Sequence, residues 1–407
     1  MSSYMSSGSG RQPGSSQTPP RPRRRALSIA VLLTTVLVLL ISGCSPSTTT
    51  ASDGRTTTIT DALGRKVQVR LPAHRVLLGG QRLIYTTAFL NKDDPTRDVA
   101  GWPDDLLQND PDTYDKYRAR FPQIDKVTTT GEISAGSLSA EQALQLRPDV
   151  FVVSAASFKA AQDAGIVSKL DKAGIPTVVI DYFVDPVAHT VPSIRALGQI
   201  FGREQQAQAF IDYYQAKVTM VRDRLAAAHA TPTPAFLWRA PGYYDCCSTF
   251  ARSNLAAILA AAGGANLGDE LLSTPQGTLS PEKILERNPA VIIATGANWA
   301  PGKTPVKAGG FVALGYDETP EAARSQLASV VSKQPGFDTL AAVRDHRTFA
   351  LWHHFYDSPY NYLAIEWMAK WLHPELFGDV DPGAELTELH TKFLPISAGG
   401  TFSTGLS

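Results

Sequence analysis

The chain has 407 residues and a formal net charge of zero, because 38 Lys and Arg residues balance 38 Asp and Glu residues. This balance gives no indication of nucleic acid or of an acidic partner. Only three cysteines are present, which excludes a small scaffold built on disulfides. The roughly 350 residues that follow residue 55 exceed one ordinary hydrophobic core and predict two lobes.

The first 44 residues carry an export signal. Residues 1–20 are rich in Ser, Gly, Pro and Gln, a composition typical of disorder. Four arginines within residues 21–25 then precede an uncharged apolar run that ends at Cys44, the pattern of a secretory signal peptide. The alternative is an uncleaved membrane anchor, because about 18 apolar residues can just span a bilayer. Both interpretations put the rest of the chain outside the cytoplasm, with residues 45–55 as a tether.

The four residues ISGC at 41–44 resemble the lipobox of bacterial lipoproteins. The resemblance implies cleavage before Cys44 and a lipid, palmitate among its acyl chains, on that cysteine. The mature chain would then be anchored to the outer face of the cell membrane.

Residues 56–189 predict an N-terminal α/β lobe. It opens with a β-hairpin, because alternating Ile, Val and Thr residues flank a turn at Asp61–Gly64. Short apolar runs follow at RVLLGG, PDVFVVS and PTVVIDYF, with helical patterns between them. Strands that alternate with helices predict a parallel sheet covered on both faces.

No strand pattern interrupts residues 190–230, which predict one long helix linking two lobes. The alternation of strands and helices resumes in residues 231–407, at PAFLWRA, SNLAAILAAAGGANL and TFALWHHF. The helix PYNYLAIEWMAKWLHPELF closes this C-terminal lobe, and a flexible tail is expected after it.

One helix–strand unit occurs twice, as SLSAEQALQLRPDVFVVS and as TLSPEKILERNPAVIIAT, with no gap between the two copies. Ser139 and Ser280 are each suited to cap a helix, and Glu141 and Glu282 fall in the first turns, where the helix dipole favours acidic residues. From spacing alone, a favourable helix start explains both glutamates.

The ordered segments resemble the substrate-binding lipoproteins of bacterial ATP-driven importers, in the class that carries ferric siderophores, haem and cobalamin. The resemblance covers nearly all of residues 56–390. It depends on the segments DALGRKVQVRLPAHRVL, SAEQALQLRPDVFVV, LGQIFGREQQAQAFIDYYQAKV, NLAAILAAAGGANL, SPEKILERNPAVIIA and EWMAKWLHPELF. It implies two α/β lobes, each a mainly parallel sheet flanked by helices, joined by a single long rigid helix with a ligand cleft between them. The protein would be a monomer with no catalytic residues and no cofactor apart from a ligand that brings a chelated ferric ion.

The resemblance also gives the two glutamates a role. In this family an acidic residue seven positions before the proline of the unit docks each lobe onto an arginine pocket of the permease dimer, which a cytoplasmic ATPase drives. Glu141 and Glu282 stand seven residues before Pro148 and Pro289. Exposed carboxylates that meet arginines in bidentate pairs provide orientation and register.

Ligand contacts are expected in the loops at the carboxyl ends of the strands. The aromatic and basic residues there are Arg82, Trp102, Arg239, Tyr243, Tyr244, Trp299, Trp352, His353, His354 and Tyr356. Arginine suits an anionic ferric siderophore, while His354 and Tyr243 are candidates for direct ligation of iron. The alternatives are that Trp352 and Tyr356 belong to the core and that Arg82 pairs with a local carboxylate.

Cys246 and Cys247 are adjacent, and neighbouring cysteines rarely form a disulfide. The sequence leaves two interpretations open for them. They are either soft metal ligands or small buried apolar residues.

A competing class is a secreted two-lobed metal-dependent enzyme. The segment VIIATGANWAPGKTP resembles a phosphate-binding loop, but five residues separate Gly296 from Gly302 where that loop has four, and Pro305 follows where a helix should begin. The catalytic signatures GxSxG, HExxH and CxxC do not occur. The sequence therefore favours a binding protein for an iron complex, with cobalamin, haem or a nickel or other metal chelate as alternative ligands.

Overall fold

A computed structural model describes residues 54–299 and 310–406. The signal peptide, Cys44 and the tether up to residue 53 lie outside the described residues. Arg55, the last residue of the predicted tether, already belongs to a strand.

The N-terminal lobe contains a hairpin and a five-stranded sheet. Its strands are β1 Arg55–Thr60, β2 Lys66–Leu71, β3 Val76–Leu78, β4 Val99–Trp102, β5 Thr128–Thr129, β6 Val150–Ser154 and β7 Thr177–Ile180. Its helices are α1 Ile84–Leu90, α2 Asp105–Asn109, α3 Pro111–Arg120, α4 Ala140–Gln145, α5 Ala155–Asp163 and α6 Ile166–Lys172. Strands β1 and β2 pair antiparallel, as predicted. The other five are all parallel, in the order β5–β4–β3–β6–β7.

The parallel strands are buried on both faces, which explains their unbroken apolar sequences. In β6, Val150 and Val152 join the main core, which continues through both lobes. Phe151 and Val153 point to the opposite face and pack in a second core with Leu170 of α6.

Two helices, α7 Pro186–Ile200 and α8 Glu204–Ala227, connect the lobes. The uninterrupted helix predicted over residues 190–230 is therefore divided, with the long helix α8 as its second part. The helical pattern continues in the sequence across the break, but Gly202 has a positive φ of 61° that ends α7. A Cβ at Gly198 would lie 2.4 Å from the Cβ of Ala207, so this glycine allows α7 and α8 to pack closely.

The C-terminal lobe repeats the α/β plan. Its strands are β8 Thr233–Trp238, β9 Ser248–Phe250, β10 Gly264–Asn266, β11 Gln276–Thr278, β12 Val291–Gly296, β13 Thr348–Trp352 and β14 Ser403–Gly405. Its helices are α9 Leu255–Ala261, α10 Leu267–Leu271, α11 Pro281–Arg287, α12 Pro320–Ser332, α13 Ala341–Arg344, α14 Asn361–Leu372, α15 Pro374–Phe377 and α16 Pro382–Lys392. The main sheet has the order β10–β8–β12–β13–β14, and β9 pairs with β11 in a separate two-stranded sheet.

The prediction of a flexible C-terminal tail is wrong. Helix α16 packs on α14, and β14 pairs antiparallel with β13 in the register Leu351 to Ser403. The tail therefore completes the edge of the second sheet. Among the helices of the described ranges, none combines the length and apolarity needed to cross a membrane.

Polar contacts fix the two lobes to each other. The carboxylate of Asp112 in α3 accepts a hydrogen bond of 2.6 Å from the backbone N–H of Tyr316. The hydroxyl of Tyr360 donates to the carbonyl of Tyr85 at 2.7 Å. Both contacts join residues more than 200 positions apart and are buried, so large lobe motions would expose polar groups that are now satisfied.

Candidate functional site

The carboxyl ends of the parallel strands meet at a cleft between the lobes. On the N-terminal side, β3, β6 and β7 end beside a cavity of about 280 Å³. The lining residues are Gly79, Gly80, Arg82, Leu83, Pro103, Asp105, Glu132, Ile133, Ser134, Ser154, Ala156, Ser157, Ile180, Tyr182, Phe183 and Asp357. Asp357 is the one residue of this lining that belongs to the C-terminal lobe. A cavity at the carboxyl edge of a parallel sheet is where α/β proteins bind ligands.

A larger groove of about 830 Å³ lies between the β1–β2 hairpin and α7. All of its lining residues come from the N-terminal lobe and α7, and none of the predicted ligand residues is among them. The cleft is therefore the better candidate site.

Arg82 crosses the cleft and joins the two lobes. It follows β3 in a short 3-10 segment, and its Nε donates to Asp105 Oδ2 at 2.7 Å. Its Nη1 donates to the carboxylate of Asp357 and, at 3.3 Å, to the hydroxyl of Tyr356. Burial opposes the charge of Arg82, but Asp357, Tyr356 and Asp105 outweigh burial, so its pKa is raised above the ordinary value. Arg82 thus has two carboxylate partners, as the alternative interpretation of the sequence allowed.

Asp357 is the acidic side of this ion pair. Burial raises its pKa to about 6, although Arg82 lowers it. Its Oδ1 is buried without a hydrogen-bond partner among the described residues. Arg82 and Asp357 therefore tie the lobes together most firmly above pH 6, where the carboxylate is ionised.

Arg239 differs from Arg82 because no carboxylate contacts it within the described ranges. It comes directly after β8, and its guanidinium lies over the rings of Tyr244 and Phe250, 4.3 and 5.0 Å from their centroids. One Nη donates to the Tyr244 hydroxyl at 2.9 Å. Its Nε is buried with no hydrogen-bond partner in the described part of the chain. A partly buried cation held by aromatic rings is ready to receive an anionic group.

Aromatic rings connect Arg239 to the cleft. Tyr356 packs edge-on against Phe183 of the cavity wall, with ring centroids 5.2 Å apart, and lies 6.3 Å from Phe250. Trp299 packs against Tyr243 at 4.5 Å and against His353 at 5.5 Å. Six of the predicted ligand residues thus form one connected cluster in the C-terminal lobe: Arg239, Tyr243, Tyr244, Trp299, His353 and Tyr356.

The two histidines are buried and neutral. Burial, followed by His354 and Arg239, lowers the pKa of His353 well below its usual range. The Nδ1 of His353 lies 2.8 Å from the hydroxyl of Thr295, which itself accepts from the N–H of Ala240, so the hydroxyl hydrogen is free to donate to the histidine.

His354 is even less available as a metal ligand than His353. Burial lowers its pKa to about 3, and its Nε2 donates to the carbonyl of Asn109 at 2.9 Å. That nitrogen is thus occupied by a contact to the N-terminal lobe. The prediction of His354 as a metal ligand gains no support from this arrangement.

Trp102 and Trp352 are placed in the core. They end β4 and β13, and each exposes 2% or less of its surface. Trp352 packs against Tyr85 and Phe355, with centroids 5.9 and 5.0 Å apart. The sequence could not distinguish a tryptophan at a strand end that faces the cleft from one that faces inward.

The expectation that Cys246 and Cys247 do not pair is wrong. The structure joins them in a disulfide across a cis peptide bond, which brings the two adjacent side chains to the same side of the backbone. They lie in the loop between β8 and β9, directly after Tyr243 and Tyr244. In this state neither sulfur is a thiolate available to a metal.

The repeated unit forms the same structure in both lobes. Ser139 caps α4 in a capping box with Gln142, and Ser280 accepts from the N–H of Lys283 at the start of α11. The docking role assigned by resemblance to Glu141 and Glu282 stays a prediction.

The two glutamates have different surroundings. Glu141 is exposed and forms an ion pair of 2.6 Å with Lys169, and the hydrogen bond from Lys169 lowers the pKa of Glu141. Glu282 is also exposed, with no ion pair in the described part of the chain.

Several residues of the cleft are absent from the sequence prediction. Asp105 and Asp357 hold Arg82, while Tyr182 and Phe183 line the cavity after β7. The segment PTVVIDYF has two aromatic residues at the end of a predicted strand, and this pattern could have identified Tyr182 and Phe183 as cleft residues. The two aspartates carried no such signal, because their partner lies 23 and 275 positions away.

The described residues contain no group of three or more His, Cys, Asp or Glu side chains arranged to hold a metal ion. An ion that arrives inside a chelator does not need such a group.

Comparison with known proteins identifies the scaffold. The model of a family described as periplasmic binding protein matches residues 96–352. Comparison with curated proteins gives no match.

The similar solved structures include the following three. The TroA-like periplasmic binding protein FepB from Veillonella parvula is 27% identical over 86% of this chain and 99% of that chain, with a TM-score of 0.78. CeuE from Helicobacter pylori, in a complex with nickel and histidine, is 17% identical over 84% and 97%, with a TM-score of 0.60. A protein of an ABC-type Fe3+-hydroxamate transport system from Saccharomonospora viridis is 17% identical over 78% and 99%, with a TM-score of 0.50. The last two show the fold alone.

Proposed function

The chain belongs to the periplasmic binding proteins, and we propose that its ligand is an anionic ferric chelate, a ferric siderophore, which it delivers to the permease of an ATP-driven importer. As a member of this family it is an extracytoplasmic solute-binding component of an ABC transporter and not an enzyme. The two-lobed α/β fold predicted from the sequence is confirmed.

Arg239 is the observation that carries the proposal. Its guanidinium is partly buried at the carboxyl end of β8, held by Tyr244 and Phe250, with a buried Nε that lacks a partner in the described part of the chain. Desolvating a cation without a counter-charge is costly, and an anionic group of the ligand would offset that cost. The catecholate or carboxylate oxygens of a siderophore are groups of this kind.

The lack of a metal-binding cluster within residues 54–299 and 310–406 supports a chelated ion over a free one. The aromatic cluster that contains Tyr243, Trp299 and Tyr356 lies in the same lobe as Arg239, and aromatic rings suit the apolar body of such a chelator. A nickel or other metal chelate remains an alternative from the sequence, and CeuE of Helicobacter pylori was solved with nickel and histidine. Haem and cobalamin remain alternatives from the sequence, and both would use the same aromatic surface.

We further propose that Cys44 carries a lipid that holds the protein at the outer face of the membrane. The support is the ISGC sequence that follows the apolar run. Mass spectrometry of the N-terminal peptide from membranes tests this. The expected peptide begins at a diacylated Cys44, and an unmodified peptide that includes residues before Cys44 would contradict the proposal.

Equilibrium titration tests the proposed ligand. The purified protein is titrated with ferric hydroxamates, ferric catecholates, haem, cobalamin and free metal salts, and tryptophan fluorescence is followed. We expect saturable quenching by a ferric chelate at a ratio of one to one, with the intact chelate recovered afterwards by mass spectrometry. Binding of haem, cobalamin or a free metal in preference to every ferric chelate would overturn the proposal.

A further inference from the structure

The loop that begins at Arg239, the arginine proposed above to bind the ligand, is closed by hydrogen bonds where it leaves β8 and returns to β9. The loop comprises residues 239–248. The backbone N–H of Arg239 donates to the carbonyl of Ser248 at 2.8 Å, and the N–H groups of Tyr243 and Tyr244 both donate to the carbonyl of Ala240 at 3.1 Å. The chain therefore leaves β8 and returns to β9 at almost the same place.

The Cys246–Cys247 disulfide lies inside this loop, between its aromatic groups. Tyr244 precedes it by two residues, and Phe250 follows it by three. These are the two rings that hold the guanidinium of Arg239. Cys247 is fully buried, and its carbonyl accepts from the N–H of Leu279 at 3.0 Å, so this end of the disulfide is anchored to the body of the lobe.

The other side of the loop is less enclosed. Cys246 is only partly buried, and Tyr244 is 37% exposed, although its hydroxyl accepts from Arg239. The hydrogen bond to Leu279 fixes Cys247, and the disulfide closes a small ring over the Cys246–Cys247 peptide, which restricts the backbone next to this fixed point. The backbone N–H groups of Tyr243 and Tyr244 are held by Ala240, and the hydroxyl of Tyr244 is held by Arg239.

We propose that the Cys246–Cys247 disulfide is a positioning element of the ligand site and makes ligand affinity depend on redox state. The proposal rests on the function proposed above. A covalent link within the loop restricts the conformations of Tyr244 and Arg239 in the unliganded protein, so less conformational entropy is lost when the ligand binds. An extracytoplasmic location favours the oxidised form.

Reduction has a defined chemistry. A thiolate of an added dithiol attacks one sulfur and breaks the Cys246–Cys247 bond, and its second thiol then releases the mixed disulfide. The dithiol is oxidised to a cyclic disulfide, and its two electrons and two protons leave Cys246 and Cys247 as thiols. The loop is then free to relax, and the tyrosines no longer hold Arg239 towards the cleft.

Peptide mapping of the full chain tests the bond itself. The protein is denatured in an alkylating reagent without reductant and then cut with trypsin, which releases residues 240–252 as one peptide apart from Cys44. We expect this peptide to be unalkylated and to lack both thiol hydrogens, and to gain two alkyl groups only after reduction. Alkylation of the unreduced sample would overturn the proposal.

Calorimetric titration tests the effect on the ligand. Gallium(III) complexes of hydroxamate and catecholate chelators are used as probes, because gallium keeps its oxidation state when the protein has been reduced. The protein is reduced, freed of reductant under anaerobic conditions and compared with the oxidised protein. We expect the reduced protein to bind about tenfold or more weakly, and the double variant Cys246→Ser/Cys247→Ser to bind equally weakly with or without prior reduction. Affinities equal within about twofold in all three proteins would overturn the proposal.

Hydrogen exchange separates a failure of this proposal from a failure of the proposed ligand. If no gallium complex binds either redox form, the ligand class is wrong, and exchange at the amides of Tyr243 and Tyr244 still reports on the loop. We expect these amides to exchange faster after reduction, while amides of α8 are unchanged. Unchanged exchange at both tyrosines would overturn the positioning role.

Discussion

Arg82 and Arg239 carry the same charge, but only Arg82 is paired with carboxylates of the described residues, so the two differ in their availability to an anionic ligand. Arg82 is held by Asp105 and Asp357, so its charge is neutralised by the protein. Arg239 is held by the faces of two aromatic rings and by a neutral hydroxyl. Aromatic contacts orient a guanidinium without neutralising it. The proposed selectivity for an anionic ligand therefore depends on Arg239.

Replacing Arg239 by Gln should weaken binding of the ferric chelate about 10- to 100-fold, because a charge-assisted hydrogen bond contributes roughly 1.5–3 kcal/mol. Arg239→Lys should lose less, since it keeps the charge but not the planar fork. Calorimetric titration measures both. Arg195→Gln is the matched control, because Arg195 lines the outer groove away from the cleft. Equal losses in the Arg195 and Arg239 variants would contradict the role of Arg239.

The sequence identified these arginines as candidate ligand residues, but it did not predict which side chains contact them. Arg239 and Tyr244 are close in the chain, and their contact follows from a short loop. The contact of Arg82 with Asp357 could not be predicted in this way, because the two residues are 275 positions apart in the chain. The pairing of Cys246 with Cys247 was missed because general geometry disfavours it, and the loop conformation that permits it has no signature in composition.

Helix α14 packs against α8 and carries a buried acidic residue, Glu366. Glu366 is 1% exposed, and neither carboxylate oxygen has a hydrogen-bond partner in the described ranges. Burial, followed by the nearby Glu385, raises its pKa to about 8. At neutral pH this side chain is therefore a neutral carboxylic acid at the contact between the linking helix and the C-terminal lobe.

The raised pKa predicts a pH-dependent stability. Between about pH 4.5 and pH 8 the folded protein keeps a proton on Glu366 that the unfolded chain has released, so the free energy of unfolding falls as pH rises through this range. Glu366→Gln should remove this loss, about 2–5 kcal/mol between pH 5 and pH 8, since each pKa unit corresponds to about 1.4 kcal/mol. Urea unfolding at both pH values measures it, with the exposed Glu375→Gln as control. A loss with pH that is the same in the Glu366 variant and in the unmodified protein would contradict the assignment.

The contact between α7 and α8 depends on one glycine. Gly198→Ala should lower the free energy of unfolding by about 1–3 kcal/mol, because the added methyl would meet Ala207. An ordinary helical glycine gains up to about 1 kcal/mol from the same change. The double variant Gly198→Ala/Ala207→Gly should recover part of the loss, and additive effects in this cycle would show that the two positions are not in close contact.

At this scale the sequence was informative where elements have a strong pattern. The hairpin, the buried parallel strands and the two capped helices of the repeat were all predicted and are confirmed. The break at residues 201–203 was missed because helical spacing continues across it. Strand β14 was missed because Ser403–Gly405 has no periodicity and forms only by pairing with β13, about 50 positions earlier.

The whole molecule is organised around a rigid connection between two similar lobes. Buried contacts such as those of Asp112 and Tyr360 cross from lobe to lobe beside α8. Such contacts favour a small closure over a wide hinge motion. The two copies of the repeated unit then keep a fixed relation to each other, as recognition by a two-subunit permease would require.

Charge reversal tests the predicted docking residues. Glu141→Lys with Glu282→Lys should abolish uptake of the ferric chelate by cells and leave its affinity for the purified protein unchanged, because both side chains are exposed at helix starts outside the cavity lining. Glu204→Lys, an exposed residue at the start of α8, is the control and should leave uptake intact. Loss of ligand affinity in the double variant, or normal uptake, would contradict the docking role.

The central claim, that an iron chelate is bound between the lobes, is tested most directly by hydrogen exchange with and without the saturating ferric chelate. We predict protection on both sides of the cleft, at residues 79–83 and 154–157 of the N-terminal lobe and at residues 239–250 of the C-terminal lobe. Protection confined to one lobe, or to the outer groove beside α7, would contradict it.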